Sequence, residues 1–97
     1  MDKSIIERVQ KITELSLILN SDKTERDITG DKPTVFYYFF GNVCAFDVEI
    51  CEDGWSNKPP YDEASKSWKI SLNSTEAESQ LDEVIEELIK LIEEWGN

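Results

Sequence analysis

Two pairs of side chains in this 97-residue chain have types and spacings from which chemistry could be built: the carboxylates Asp47 and Glu49, and the thiols Cys44 and Cys51. Asp47 and Glu49 alternate onto one face of an extended segment, as the two carboxyl groups of a glycoside-cleaving site must converge from one surface. In a chain with 21 acids the same pattern is also what solvent-facing charge looks like. The cysteines are seven positions apart. On a single strand that spacing puts them about 23 Å apart and on opposite faces, too far for a disulfide. They are expected to be free thiols, in keeping with a reducing compartment.

The chain contains no histidine, and with it go the commonest general base, the commonest metal ligand and every Ser-His or Cys-His nucleophile pair. Two cysteines do not complete a structural zinc site, the four glycines form no phosphate-cradling loop, and the acids do not follow a calcium-loop pattern. The expectation is a protein that is not an enzyme and takes no cofactor and no metal.

Charge is the strongest compositional signal. With 21 acids against 10 bases the net charge is -11, and residues 74–97 alone hold eight acids and one base, a net of -7. Such a field opposes contact with nucleic-acid phosphates and anionic membranes and favours basic partners. No apolar run is long enough for a membrane span, and the opening MDKSIIERVQ lacks the apolar centre of a signal peptide, so a cytoplasmic location is expected. With no secretory signal, Asn73-Ser74-Thr75 reads as a helix cap and not as a glycosylation acceptor.

The charge is carried by a segment whose periodicity is helical. Leu81, Val84, Ile85, Leu88, Ile92 and Trp95 recur at three- and four-residue steps, predicting a helix from Ser74 to Trp95, roughly 30 Å long. Thr75 and Glu78 suggest a capping box, and Gly96 a C-terminal stop. The outer face holds Asp82, Glu83, Glu86, Glu87, Glu93 and Glu94 beside the single base Lys90, with Glu86/Lys90 as the one favourable i,i+4 pair. This face reads either as solvated surface or as a docking surface for a basic protein.

The remaining elements follow in order. Ser4 and Glu7 suggest a capping box for a first helix carrying Ile5, Val9, Ile12, Leu15 and Leu19, although Leu15–Leu19 also fits a short strand. Residues 21–33 read as a loop. VFYYFF and VCAFDVEIC flank Gly41-Asn42 and predict a hairpin with a two-residue turn, in which Val35 faces Val48, Tyr37 faces Phe46 and Phe39 faces Cys44. Phe36, Tyr38 and Phe40 make the first strand apolar on its other side as well. SWKISL supplies a third strand, from Ser67 to Leu72. A meander is favoured over a crossover; it puts the second strand in the middle with Lys69 near Asp47 or Glu49, and leaves the aromatic strand at an edge that invites pairing with another chain. The intervening loop brings Trp55 and Tyr61, either as a lid on the core or as an exposed contact site.

The expectation is a single α+β domain over residues 1–97, in the order helix, three-stranded antiparallel sheet, long C-terminal helix. In size and acidity the chain resembles small bacterial immunity proteins and phage-encoded inhibitors of defence nucleases, including anti-CRISPR proteins, without a diagnostic motif. That resemblance implies an acidic protein-binding module, a nucleic-acid mimic that blocks a basic surface on a nuclease or another nucleic-acid-binding protein. The alternative is a self-associating assembly protein, a homodimer through the aromatic edge.

Overall fold

A computed structural model describes residues 1–21, 33–52 and 66–94. The chain runs α1 (Lys3–Leu19), β1 (Thr34–Phe40), β2 (Ala45–Cys51), β3 (Lys66–Ser71) and α2 (Ala77–Glu94). The strands form one antiparallel sheet in the order β1-β2-β3, the expected meander. Both helices pack on the same face of that sheet, α1 over β1 and α2 over β3. The protein is α+β.

A single layer of apolar side chains joins the two levels. From the sheet come Val35, Phe46, Val48, Ile50 and Ile70, all on one face because side chains alternate along a strand. From the helices come Ile5, Ile12 and Leu15 of α1, with Ala77, Leu81, Val84, Leu88 and Leu91 of α2. Leu81, Val84 and Leu88 have no exposed surface at all. The α2 stripe is slightly rotated from its expected position: Leu91 and Ala77 are buried, while Ile85 and Ile92 pack only partly against the core.

Several expectations are corrected. The hairpin turn spans four residues, Gly41–Cys44, not two, and the register is Val35↔Ile50, Tyr37↔Val48 and Phe39↔Phe46. The turn closes through the Val43 N–H donating to the Phe40 carbonyl at 3.3 Å, with Cys44 in the left-handed region at φ 51°. The longer turn slips the pairing by two positions, which leaves every side chain on its expected face and brings Ile50 opposite Val35. It also takes Cys44 off the strand. Neither cysteine is in a disulfide, and Cys51 is buried at the end of β2.

The caps also differ. The cap of α1 is Asp2, whose carbonyl accepts the Ile5 and Ile6 N–H groups, so Ser4 lies inside the helix and makes no capping box. Leu15–Leu19 is helical. α2 begins at Ala77, later than expected, because Leu72–Glu76 form turns in which the Ser74 carbonyl accepts the Ala77 N–H. Leu72 falls just beyond β3 and is buried. Trp55, Tyr61, Trp95 and Gly96 lie outside the described residues.

Among the described residues, one polar side chain is buried without a hydrogen-bond partner. Ser16, on the inner face of α1, is fully buried and its hydroxyl makes no hydrogen bond. An unmet buried hydroxyl costs about 1–3 kcal/mol and serine is a weaker helix former than alanine, so Ser16→Ala is expected to raise the unfolding free energy by about 1 kcal/mol. Leu88→Ala, at the centre of the α2 stripe, is expected to lower it by about 2–5 kcal/mol. Urea titration followed by circular dichroism measures both, and a destabilising Ser16→Ala would show that the hydroxyl has a partner in solution.

Candidate functional site

The acidic face of α2 divides into two flanks and a ridge. On the α1 flank, Arg8 donates from Nε to Asp82 Oδ1 at 2.8 Å and from Nη2 to Glu78 Oε1 at 3.1 Å, while its Nη1 donates to the Ser4 carbonyl at 3.1 Å. On the β3 flank, Lys66 Nζ lies 2.7 Å from Glu87 Oε2 and 3.6 Å from Glu52 Oε1, and Trp68 Nε1 donates to Glu83 Oε2 at 3.4 Å. These pairs sit at the surface, where ion pairs add little to stability. Their effect is to fix both long edges of the helix to its neighbours.

Three of the six acids singled out from the sequence are therefore engaged within the chain: Asp82, Glu83 and Glu87. The other three, Glu86, Glu93 and Glu94, are exposed and take no ion pair among the described residues. Lys90 is exposed between them, and the expected Glu86–Lys90 pair is not formed. The ridge is thus a row of exposed carboxylates on a helix clamped along both sides. Neither Arg8 nor Lys66 could be assigned these roles from the sequence, since each partner lies in a distant element; the available signal was that they are two of only ten bases facing 21 acids.

Elsewhere on the sheet the features are sparser. Asp47 and Glu49 are half-buried on the outer face of β2, with Asp47 opposite Lys69 as expected and Glu49 opposite Ser67. Among the described residues no cluster of three or more His, Cys, Asp or Glu is placed to hold a metal ion, and no helix is long and apolar enough to cross a membrane.

Among the described residues, the far end of β1 gathers the largest group of exposed apolar side chains. Tyr37, Tyr38, Phe39 and Phe40 are 36%, 45%, 59% and 44% exposed, with Val43 of the turn beside them. Phe36, Tyr38 and Phe40 are on the open face, where the Tyr38 and Phe40 rings stack at 6.4 Å. Tyr37 and Phe39 are on the helical side of the sheet but remain partly exposed there; the Tyr37 ring rests against Phe46, with centroids 6.1 Å apart. Sequence alternation puts these two residues on one apolar face of the hairpin.

Comparison of the chain with protein-family models, curated proteins and solved structures gives no significant match. What the protein does has to be argued from these two surfaces.

The β3 flank has a pH signature. Its hydrogen bond to Glu87, reinforced by Glu52, raises the Lys66 ammonium above its ordinary value against the opposing effect of desolvation. A raised lysine contributes stability that is fully present below the unfolded value of about 10.4 and is lost as pH climbs through the folded value. Subtracting the unfolding free energy of Lys66→Met from that of the unaltered protein isolates this contribution. The difference is expected to be flat from pH 7 to 10 and to shrink above about 10.4; a difference that grows with pH would contradict the pairing.

Proposed function

We propose that this chain is a non-enzymatic protein-binding module of the inhibitor or immunity type, whose α2 ridge docks on a basic surface of a target protein. The observation that supports it is the row of exposed carboxylates at Glu86, Glu93 and Glu94, without an ion pair among the described residues, on a helix whose inner face is buried and whose flanks are tied by Arg8 and Lys66. Charge held on a rigid element needs little ordering on binding, and a concentrated negative field steers association with a positive partner. A nuclease or other nucleic-acid-binding protein fits that description, because its own ligand is a row of phosphates and its site is built from lysine and arginine. In this reading the ridge stands in for the nucleic-acid backbone. Asp82, Glu83 and Glu87 act mainly in setting its position, since they are already partnered.

The test is affinity capture from native host extract with the unaltered protein and with Glu86→Lys/Glu93→Lys/Glu94→Lys, followed by mass spectrometry and a binding titration on the captured protein. We expect a basic, nucleic-acid-binding partner whose affinity falls more than about tenfold in the triple variant and falls again as salt is raised. Circular dichroism should show the variant folded. A partner held equally well by the triple variant would eliminate the ridge as the docking surface.

A further inference from the structure

The edge of β1 has an accountable hydrogen-bond pattern. Asn20, the residue closing α1, is bonded to both main-chain groups of Val35: its Oδ1 accepts the Val35 N–H at 3.2 Å and its Nδ2 donates to the Val35 carbonyl at 2.9 Å. The Asn20 side chain therefore takes the place of a neighbouring strand at that one residue. Main-chain groups of a strand alternate between its two sides, so the outward-facing set on β1 is Val35, Tyr37 and Phe39, while Thr34, Phe36, Tyr38 and Phe40 face β2. Val35 is occupied. Tyr37 and Phe39 keep both their N–H and C=O groups directed away from the sheet, on an edge that is 36% and 59% exposed at those residues.

We propose that β1 pairs antiparallel with β1 of a second copy, about a two-fold axis through Tyr38, joining two sheets into one of six strands. Of the two-fold registers open to this edge, one matches the inventory completely. Centring on Tyr37 would set Phe39 against the occupied Val35, and centring on Phe39 would set Tyr37 against Gly41 in the turn. Centring on Tyr38 pairs Tyr37 of each copy with Phe39 of the other, and forms four intermolecular main-chain hydrogen bonds from the four donors and four acceptors present. Val35 then falls opposite the partner copy's turn, where no strand is needed. The side chains agree with this register: Tyr38 meets its own counterpart on the open face, and Phe36 meets Phe40.

Charge argues for a second copy over a different occupant. From Pro33 to Phe46 there is no Asp, Glu, Lys or Arg, in a chain whose net charge is -11. A basic partner would find no carboxylate on this strip, whereas two acidic copies meet here with none opposed at the contact. The acidic ridge is remote from it, since α1 covers β1 and α2 lies over β3. Long-range repulsion between the two negative bodies is screened by salt, so dimerisation should strengthen with ionic strength, opposite to the salt response of the ridge. The pairing rests on the strand edge alone and does not depend on the ridge reading.

Sedimentation equilibrium across micromolar to millimolar concentration tests it. We expect a species of twice the 11.2 kDa chain mass, favoured by salt. Phe39→Pro removes an outward N–H that makes no hydrogen bond among the described residues, so it should abolish the dimer while leaving the circular dichroism spectrum in place. The register is read separately by cysteine cross-linking in a Cys44→Ser/Cys51→Ser background. Tyr38→Cys should form a disulfide-linked dimer on mild oxidation, because residues facing each other across a non-hydrogen-bonded position lie within disulfide reach, while Phe40→Cys should not. A monomer at every concentration, a dimer that survives Phe39→Pro in a folded protein, or a Phe40→Cys link as strong as that at Tyr38 would each overturn the proposal.

Discussion

The structure depends on one constraint: a three-stranded sheet has a single face that two helices can cover. Phe46, Val48 and Ile70 lie beneath Leu81, Val84 and Leu88, and nearly all fully buried apolar volume is in that one layer. Everything on the far side of either layer is necessarily surface. For α2 that means the acidic ridge, and for the sheet it means the open face with Phe36, Tyr38 and Phe40. The helices run over the start of β1 and leave its turn end beyond their cover, which is why aromatic residues are exposed there on both faces. The two candidate interaction surfaces are thus consequences of the same packing solution and lie at opposite margins of it.

The flanking ion pairs look different in this light. Arg8 and Lys66 join α2 to α1 and to β3, and each carries two carboxylates. On energetic grounds solvent-exposed pairs contribute modestly. Positionally they matter more, because they engage Glu78, Asp82 and Glu87 and leave Glu86, Glu93 and Glu94 without an ion pair among the described residues. Charge that on paper was spread evenly around half a helix becomes a narrower strip along its crest.

Most of the architecture was legible in the sequence because it follows from periodicity. The 3.6-residue recurrence of Leu81, Val84 and Leu88 and the two-residue alternation of Phe46, Val48 and Ile50 each have one economical burial, and the order of segments gave the meander. The turn was not legible: Gly41-Asn42 is a strong two-residue signal, yet the chain continues through Val43 and places Cys44 at positive φ, because the longer turn adds Ile50 opposite Val35 without moving any side chain to the wrong face. Caps failed for a related reason, since Ser4 and Thr75 carry capping chemistry but main-chain turns at Asp2 and Ser74 start the helices elsewhere. For the site, local spacing located the acids, but it could not separate those matched by Arg8 and Lys66, which are distant in sequence. Asn20 was invisible for the same reason: an asparagine after a helix looks like a terminator, and only the fold shows that it blocks a strand edge.

Amide hydrogen exchange followed residue by residue by NMR, on dilute and on concentrated protein, tests the central claim that covering one face of the sheet leaves a defined part of β1 open. In dilute solution the N–H groups of Phe36, Tyr38 and Phe40, which face β2, should exchange slowly, and Val35 should be retarded by Asn20. Those of Tyr37 and Phe39 should exchange quickly when dilute and become protected as the concentration rises. Slow exchange at Tyr37 and Phe39 in dilute protein would mean that the edge is already covered within one chain, and fast exchange there at every concentration would mean that it pairs with nothing; either result contradicts the account.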